Sequence, residues 1–330
     1  MLQVIKKPET ATVIVLIAMI AIIASLQDNF FEQAVLLRTI DAYTPIMLIA
    51  MGQAVVLISG SLDISAGATL SFIICLMVSV MEKGDPITGV FAIICGLGAV
   101  LLVGFVNGLG AGYFRLPTVI FTFATSYMWR GLALFLRPFP GGETTDWFRA
   151  FYNYGKMDGA TAAMQKLSGY LPSALLLILL GCGVYFFLRK RKFGRYIYAV
   201  GSNEQAAFQS GINTAKIKMM AYMVNAFFIF LAALFLVAQN GTADANVGDP
   251  FTLSAIAAPV IGGIALTGGK GNVYFALAGA LVLSFTGKII FYGGFPSAYQ
   301  TLVNGVIIVV ALCVSSIYRQ RMENAQLKGE

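Results

Sequence analysis

The sequence predicts an all-α membrane protein, a polytopic bundle of about ten transmembrane segments, some of them short or broken, with both termini in the cytoplasm. Two observations predict this class. Of the 330 residues, 58% are hydrophobic and only 11% are charged, whereas soluble domains carry about 25% charged residues. The apolar residues also form runs of about 20, the length that crosses a hydrocarbon core of roughly 30 Å at 1.5 Å per residue.

The apolar runs follow one another along the whole chain. They are 10–27, 42–60, 64–82, 88–111, 117–137, 171–188, 216–238, 252–267, 273–291 and 298–317. The first has no clear small-x-small cleavage site and is interpreted as a retained span. The eighth is short and rich in glycine, which favours a re-entrant or broken helix. Because no linker divides the chain, residues 1–330 are interpreted as a single transmembrane domain.

The basic residues predict the orientation of this bundle. With the amino terminus inside, most of the Lys and Arg residues fall on the inner side, as the positive-inside rule requires. Topology therefore explains the net charge of +7 better than nucleic-acid binding does, and lipid is the expected surrounding. The connection 138–170 becomes the one long outer loop. It could contact a partner outside the membrane or only cover the end of the bundle.

The residue types present argue against most enzyme chemistry. The chain has no histidine, which removes His-based triads and His metal sites. Its cysteines lie inside apolar runs without C-x-x-C spacing, which is typical of packing residues. They are Cys75, Cys95, Cys182 and Cys313. No catalytic residue and no metal site are predicted.

A glycine-rich run at 261–271 resembles a phosphate-binding loop only superficially. The motif G-x-x-x-x-G-K-[ST] requires glycine where Ile264 stands and Ser or Thr where Gly271 stands. The run also continues a membrane segment instead of following a soluble strand. We therefore expect this chain to bind no cofactor, and any ATP to be hydrolysed elsewhere.

The stretch 189–218 is polar, dense in basic residues and flanked by apolar runs, so it is expected on the cytoplasmic side. Its middle, Ser202–Ser210, predicts a short helix. Ser202 or Asn203 can cap the amino end, and Gly211 can end the helix. A short helix held between two spans on the cytoplasmic face is suited to docking a partner.

Several polar residues in or between the spans are candidates for a translocation path or gate. Asp63 is expected near the inner surface, where it either caps the next helix or acts in gating or coupling. Asn107 lies among small residues and either joins two helices or contacts substrate. The full set of path or gating candidates is Asp63, Ser65, Asn107, Asn225, Gln300 and Asn304. Residues 56–60 show a weak sequence similarity to 259–263, and inverted repeats are common in transporters.

The stretches quoted above resemble the permease subunits of bacterial ABC importers of the ribose and monosaccharide class. The similarity runs from about residue 42 to 317 and is strongest in 193–203, FGRYIYAVGSN. It continues in Glu204, Ala206-Ala207 and Ser210–Asn213, and recurs in the turn 60–67 and in the glycine pairs at 262–263 and 268–269. Ser61, Ala66 and Pro259 depart from residues common in the family, which bears on the substrate and not on the class.

The resemblance implies a translocation subunit of the bacterial inner membrane that is not itself an enzyme. Its expected partners are an ABC ATPase subunit that binds ATP and Mg²⁺, a periplasmic substrate-binding protein, and a second permease copy or paralogue. In the family, the cytoplasmic loop docks into the ATPase. The matching residues here are Gly194, Arg195, Gly201, Asn203, Glu204, Ala206, Ala207, Gly211 and Ile212.

Three alternatives stay open from the sequence. Permeases of the same importer type carry nucleosides or branched-chain amino acids. A stand-alone secondary transporter would need intramembrane acids or histidine for ion coupling, and only Asp63 comes near. An intramembrane enzyme would need a pair of general acid and base groups, which the spans lack.

Overall fold

The computed structural model describes residues 8–152, 171–296, 298–300, 302–307 and 309. Within these ranges the regular structure is helical, and the one β-type pairing is an isolated antiparallel bridge between Gly141 and Ala243. The predicted all-α class is therefore confirmed.

Twelve α-helices have well-defined bounds in the described ranges. They are α1 (Pro8–Leu26), α2 (Gln33–Ile58), α3 (Ala66–Val80), α4 (Pro86–Gly108), α5 (Thr118–Leu136), α6 (Asp146–Tyr152), α7 (Ser173–Lys190), α8 (Lys192–Ser202), α9 (Glu204–Gln209), α10 (Thr214–Asn240), α11 (Asp249–Ile261) and α12 (Tyr274–Tyr292). A π-helical turn, Leu109–Tyr113, extends α4. Further helical residues lie between 298 and 309.

Two long helices form the centre of the bundle. Most of α2 and α10 is buried, whereas α5 and α7 leave most of their length exposed. The apolar side chains of α2, α3 and α10 make up much of the largest core cluster. The outer helices expose large apolar residues such as Phe135 and Phe187, as expected of surfaces that face lipid.

Six helices in the described residues are long and apolar enough to cross a membrane. They are α2, α4 with its π-helical turn, α5, α7, α10 and α12. The shorter apolar helices are α1 from Thr10, α3 and α11. The tenth predicted run, 298–317, lies mostly outside the described residues, so the count of about ten stays a prediction.

The short helices α3 and α11 are each preceded by a non-helical segment that turns back into the bundle. Residues 59–65 lead from the end of α2 to α3, and residues 241–248 lead from α10 to α11. The two helix starts meet where Gly67 faces Gly248. A β-carbon on Gly248 would lie 1.9 Å from the Gly67 carbonyl oxygen, so this close crossing requires glycine. The eighth apolar run is thus a short helix followed by turns.

The chain connections gather at two ends of the bundle. At one end, a β-carbon on Gly112 would lie 2.5 Å from the Ala215 carbonyl oxygen, and the Thr12 hydroxyl donates to the Ile261 carbonyl. This end also carries the cations of 189–192, and we call it the basic end. At the opposite end the Arg137 side chain donates to Ser79 at 3.0 Å.

Candidate functional site

The basic stretch forms two helices at the basic end, and only one of them was predicted. The unpredicted helix is α8, which buries Phe193, Ile197 and Val200 on one side and leaves Arg195 exposed. These apolar residues recur at spacings of four and three, the period of an amphipathic helix. That spacing was the signal that could have revealed α8 from the sequence.

The predicted short helix is confirmed as α9. The Asn203 side chain accepts a hydrogen bond from the Ala206 amide at 2.9 Å, which caps the first turn. At the other end Gly211 has φ +81°, and the Ile212 amide donates to the Ala207 carbonyl at 3.1 Å. A left-handed glycine after the last turn is a common helix ending.

One apolar side chain stands out on α9. Ala207 is buried against the bundle, whereas Phe208 is 60% exposed. Gln205 and Ala206 are also exposed. Phe208 was not among the predicted docking residues, although an aromatic residue in an otherwise polar helix was visible in the sequence.

An ion pair attaches α9 to the central helix α10. The Lys218 ammonium donates to the Glu204 carboxylate. The Lys218 side chain is only 12% exposed and the Glu204 side chain 41%. Glu204 therefore has an intramolecular partner, and its contribution to the position of α9 is separate from any contact with another protein.

The predicted docking residues all lie in or beside α8 and α9, but they differ in exposure. Gly194 and Ala207 are buried, and Gly201, Glu204 and Ile212 are partly buried. The exposed members are Arg195, Asn203, Ala206 and Gly211. The buried and partly buried residues shape the segment from inside. Only the exposed residues can offer a broad surface to a partner.

The carboxyl end of α8 packs directly on the end of α2. A β-carbon on Gly201 would lie 1.8 Å from the Ile58 carbonyl oxygen and 2.6 Å from the Gly269 nitrogen. The Gly269 amide donates to that same Ile58 carbonyl at 2.9 Å. Three chain segments therefore meet at one carbonyl group, and displacement of α8 would act on the start of 59–65.

Segment 59–65 carries Asp63 into a buried polar network. Asp63 Oδ1 accepts hydrogen bonds from the Ser65 amide at 2.8 Å and from the Ser65 hydroxyl at 2.6 Å. Asp63 Oδ2 accepts from Asn225 Nδ2 at 2.9 Å. These donors stabilise a carboxylate that has no cationic partner in the described residues.

The network continues from Ser65 to α4 and α5. Asn107 Nδ2 donates to the Ser65 hydroxyl at 2.8 Å, and the Thr125 hydroxyl donates to Asn107 Oδ1 at 2.9 Å. Asn107 is 1% exposed, and its amide is paired on both sides. The helix-joining interpretation of Asn107 is the one that this geometry favours.

The depth of Asp63 differs from the expectation that it lies near the inner surface. Its partner Asn225 is eleven residues along α10 from Thr214, which corresponds to about 16 Å at 1.5 Å per residue. Nor does Asp63 cap the helix, because its backbone donor is the amide of Ser65, the residue that precedes α3. The reason is that 59–65 runs inward before α3 begins.

Four of the six path or gating candidates therefore meet in one network, namely Asp63, Ser65, Asn107 and Asn225. Gln300 does not join them, because it lies beside Gly287 of α12. Asn304 is partly buried in the helical residues that follow. Sequence reasoning missed Gln53, which is fully buried in α2 and faces Asn225 at 3.5 Å.

A second polar cluster joins α5 to the start of α11. Arg130 donates to the Asp249 carboxylate at 2.7 Å and to the Asn246 side chain at 2.9 Å. The Arg130 and Asp249 side chains are 41% and 46% exposed, whereas the large exposed side chains of α5 are mainly apolar. This cluster was not predicted, although an arginine inside an apolar run was a signal.

Comparison with known proteins identifies the class. A family model described as the branched-chain amino acid transport system permease component matches residues 35–312. The chain belongs to this family of permeases. Curated import permeases are also similar to the chain along most of their length, so the predicted membrane permease class is confirmed. No solved structure matches the permease.

Three curated relatives illustrate the similarity. The ribose import permease protein RbsC of Bacillus subtilis (strain 168) is 31% identical over 301 residues, which cover 90% of this chain and 89% of the relative. The RbsC of Escherichia coli (strain K12) is 29% identical over 308 residues, 93% of this chain and 94% of the relative. The autoinducer 2 import system permease protein LsrC of Yersinia enterocolitica is 27% identical over 322 residues, 96% of this chain and 84% of the relative.

Proposed function

We propose that this permease imports a monosaccharide, ribose or a similar simple sugar, driven by a separate ABC ATPase that docks on α9. The observation that carries the proposal is the direct packing of α8 on Ile58, which links the docking segment to the buried network at Asp63. A permease with no nucleotide site of its own needs such a link to respond to ATP used elsewhere.

Support for a sugar comes from the two relatives named as ribose import permeases. The family description names branched-chain amino acids, so an amino acid is the second candidate, with nucleosides as a third. The described residues favour a neutral solute, because Asp63 and Arg130, the charged groups of the two polar clusters, already have partners within the chain. Asp63 is hydrogen-bonded within the network, and Arg130 is paired with Asp249.

The exposed surface of α9 is the proposed docking surface for the ATPase. It includes the exposed residues Gln205, Ala206 and Phe208 of α9 and the flanking residues Asn203 and Gly211. Aromatic residues that insert into a partner's pocket supply much of the binding energy in protein interfaces. Phe208 is the proposed anchor, and the Asn203 cap and the Glu204–Lys218 ion pair hold α9 in position for it.

The proposed coupling route runs from α9 through α8 to the polar network. Closure of an ATPase dimer would push α9 and α8 toward Ile58, and rigid elements transmit such displacements into rocking of a bundle. Segment 59–65 follows Ile58 directly and ends at Ser65, whose hydroxyl accepts a hydrogen bond from Asn107. Asp63 and Ser65 are thus proposed to couple α2 to α4 and α10, without contacting ATP.

The exposed face of α5 and the start of α11 are proposed to line the translocation path against a second permease copy or paralogue. Ionisable groups at membrane depth are costly against lipid and normally face protein or water. Arg130 and Asp249 are partly exposed in the single chain. A path between two copies would give these side chains a polar surrounding.

The proposed orientation places the basic end in the cytoplasm of the bacterial inner membrane. The cations of 189–195, Arg115 and Lys270 lie there, in accordance with the preference of Lys and Arg for the cytoplasmic side. About ten segments and two cytoplasmic termini complete this topology. A periplasmic binding protein would deliver the sugar at the opposite end.

Reconstituted uptake tests the proposal most directly. The permease would be placed in liposomes with its cognate ATPase and binding protein, and ATP-dependent uptake of pentoses, hexoses, nucleosides and branched-chain amino acids would be compared. We expect uptake of one or a few simple sugars only. Uptake without the ATPase, or uptake confined to amino acids or nucleosides, would contradict the proposal.

A further inference from the structure

The junction of α7 and α8 concentrates positive charge that nothing in the described chain neutralises. Arg189, Lys190, Arg191, Lys192 and Arg195 lie within seven consecutive positions. In the described ranges, the ion pairs involve Lys83, Arg130 and Lys218 but none of these five. These five side chains can therefore pair with an anion from outside the chain.

Two of these cations border an open cavity of about 490 Å³. Its lining consists of Arg189, Gly194, Arg195, Tyr198, Gly271 and Asn272. The cavity therefore joins the end of a long helix, an amphipathic helix and the connection 262–273. Cavities between helices that combine basic and polar side chains are suited to phosphate headgroups.

Internal contacts hold the wall of this cavity in place. The Tyr198 hydroxyl donates to the Gly271 carbonyl at 2.9 Å and lies 3.2 Å from the Tyr185 hydroxyl. Gly194 allows α8 to approach α7, because a β-carbon there would lie 2.5 Å from the Arg189 α-carbon. The two arginines are thereby presented on a framework that exists before any ligand binds.

The residues just before the cluster place it at the level of a membrane surface. Phe186 and Phe187 are 46% and 66% exposed on α7, and the Lys190 ammonium lies 4.1 Å from the centre of the Phe186 ring. Large exposed apolar side chains followed at once by cations mark the passage from hydrocarbon to headgroups. An occupant of the cavity would therefore meet the headgroup layer.

We propose that this cavity binds the phosphate of an anionic phospholipid from the same leaflet. Each guanidinium presents paired N–H donors that match two phosphate oxygens. Continuity with the exposed apolar end of α7 favours a lipid over a free ion, because the acyl chains could lie along that helix. Arg195 is then assigned to lipid, whereas the resemblance implied that it docks the ATPase, and the exposed surface of α9 stays available for docking.

The test measures lipid binding to the purified full-length permease in detergent. Native mass spectrometry would count adducts with phosphatidylglycerol and with phosphatidylcholine, and thermal unfolding would report the stabilisation by each lipid. The variants are R189Q/R195Q and a matched control, R115Q/K216Q, which removes the same charge from other exposed positions at the same end. Inorganic phosphate is added in a parallel series as a competitor.

We expect the wild type to retain phosphatidylglycerol in preference to phosphatidylcholine, and R189Q/R195Q to weaken that retention about tenfold. The control should bind like the wild type, and inorganic phosphate should compete poorly. If R189Q/R195Q does not fold, R195Q alone should still weaken retention several-fold, because Arg195 is exposed.

Three results would overturn the proposal. Equal losses in R115Q/K216Q would show general charge attraction without a site. Unchanged retention in R189Q/R195Q would place the lipid elsewhere. Efficient displacement or equal stabilisation by inorganic phosphate would assign the cavity to a free anion. None of these results depends on which solute is imported, so the transport proposal is tested independently.

Discussion

Gly201, near the end of α8, lies directly against the carbonyl oxygen of Ile58, the last residue of α2, where a β-carbon would come within 1.8 Å. The same carbonyl accepts the Gly269 amide. This contact joins the proposed docking segment to a central helix of the bundle, and segment 59–65 leads from it to Asp63.

Substitution of this glycine tests the coupling route. Gly201→Ala would force α8 away from Ile58, and we expect it to cost about 1–3 kcal/mol of folding stability and to lower ATP-driven uptake strongly. Gly183→Ala is the matched control, because nothing lies within 4 Å of its β-carbon position. Unfolding temperature and uptake would be measured together. Normal uptake in Gly201→Ala would count against the route.

The bond between Asp63 and Asn225 can be tested by exchange of the two side chains. Asp63→Asn places an amide group against Asn225 Nδ2, which leaves buried donors unpaired and should cost about 1–3 kcal/mol. The double variant D63N/N225D restores one donor opposite one acceptor and keeps an oxygen for Ser65.

We expect the double variant to recover most of the stability and uptake lost in Asp63→Asn, as a double-mutant cycle would quantify. If the loss of stability in the double variant equals the sum of the losses in Asp63→Asn and Asn225→Asp, the bond does not couple the helices. If stability recovers but uptake does not, the carboxyl group must stand at position 63 itself.

Phe208 is expected to anchor the ATPase. Because this side chain is 60% exposed, Phe208→Ala should leave the unfolding temperature of the permease unchanged. Loss of an aromatic anchor costs about 2 kcal/mol or more, roughly a thirtyfold loss of affinity. Binding would be measured with the purified ATPase. The control is Phe187→Ala, at an exposed position of α7, which should bind the ATPase with normal affinity. Normal affinity in Phe208→Ala would contradict the role of Phe208 as an anchor.

The Glu204–Lys218 ion pair predicts a charge-reversal result. Glu204→Lys places a second cation beside Lys218 at the base of α9. It should reduce substrate-stimulated ATPase activity without preventing membrane insertion. The reversed pair E204K/K218E restores opposite charges across the same contact. Recovery of ATPase stimulation would assign Glu204 to holding α9, whereas persistent loss would indicate a direct contact with the ATPase. Wild-type stimulation in Glu204→Lys would exclude both roles.

The proposed path face of α5 predicts a pattern of chemical labelling. In a background without the four native cysteines, Ser126→Cys lies one turn from Arg130 and should react with a water-soluble maleimide. Ile120→Cys is the control, since Ile120 is 68% exposed on the same helix and is expected to face lipid. Equal reactivity at both positions would contradict a polar path beside Arg130.

The class of the protein and the position of α9 followed from local properties of the sequence. Hydropathy over about 20 residues predicts spans, and Asn203 and Gly211 are the residue types that begin and end a short helix. Such signals act within a few residues of one another, so no tertiary contact is needed to detect them. The family signature in 193–203 is equally local.

The buried network and the depth of Asp63 were decided only by the tertiary structure. The partners Asp63 and Asn225 are separated by 162 positions in the chain, and no periodicity indicates that residues 59–65 run inward before α3 starts. The Gly201–Ile58 contact and the Arg130–Asp249 pair likewise join distant segments. The physical reason is that apolar runs predict which segments enter the membrane, whereas close glycine crossings and paired polar groups decide how those segments meet.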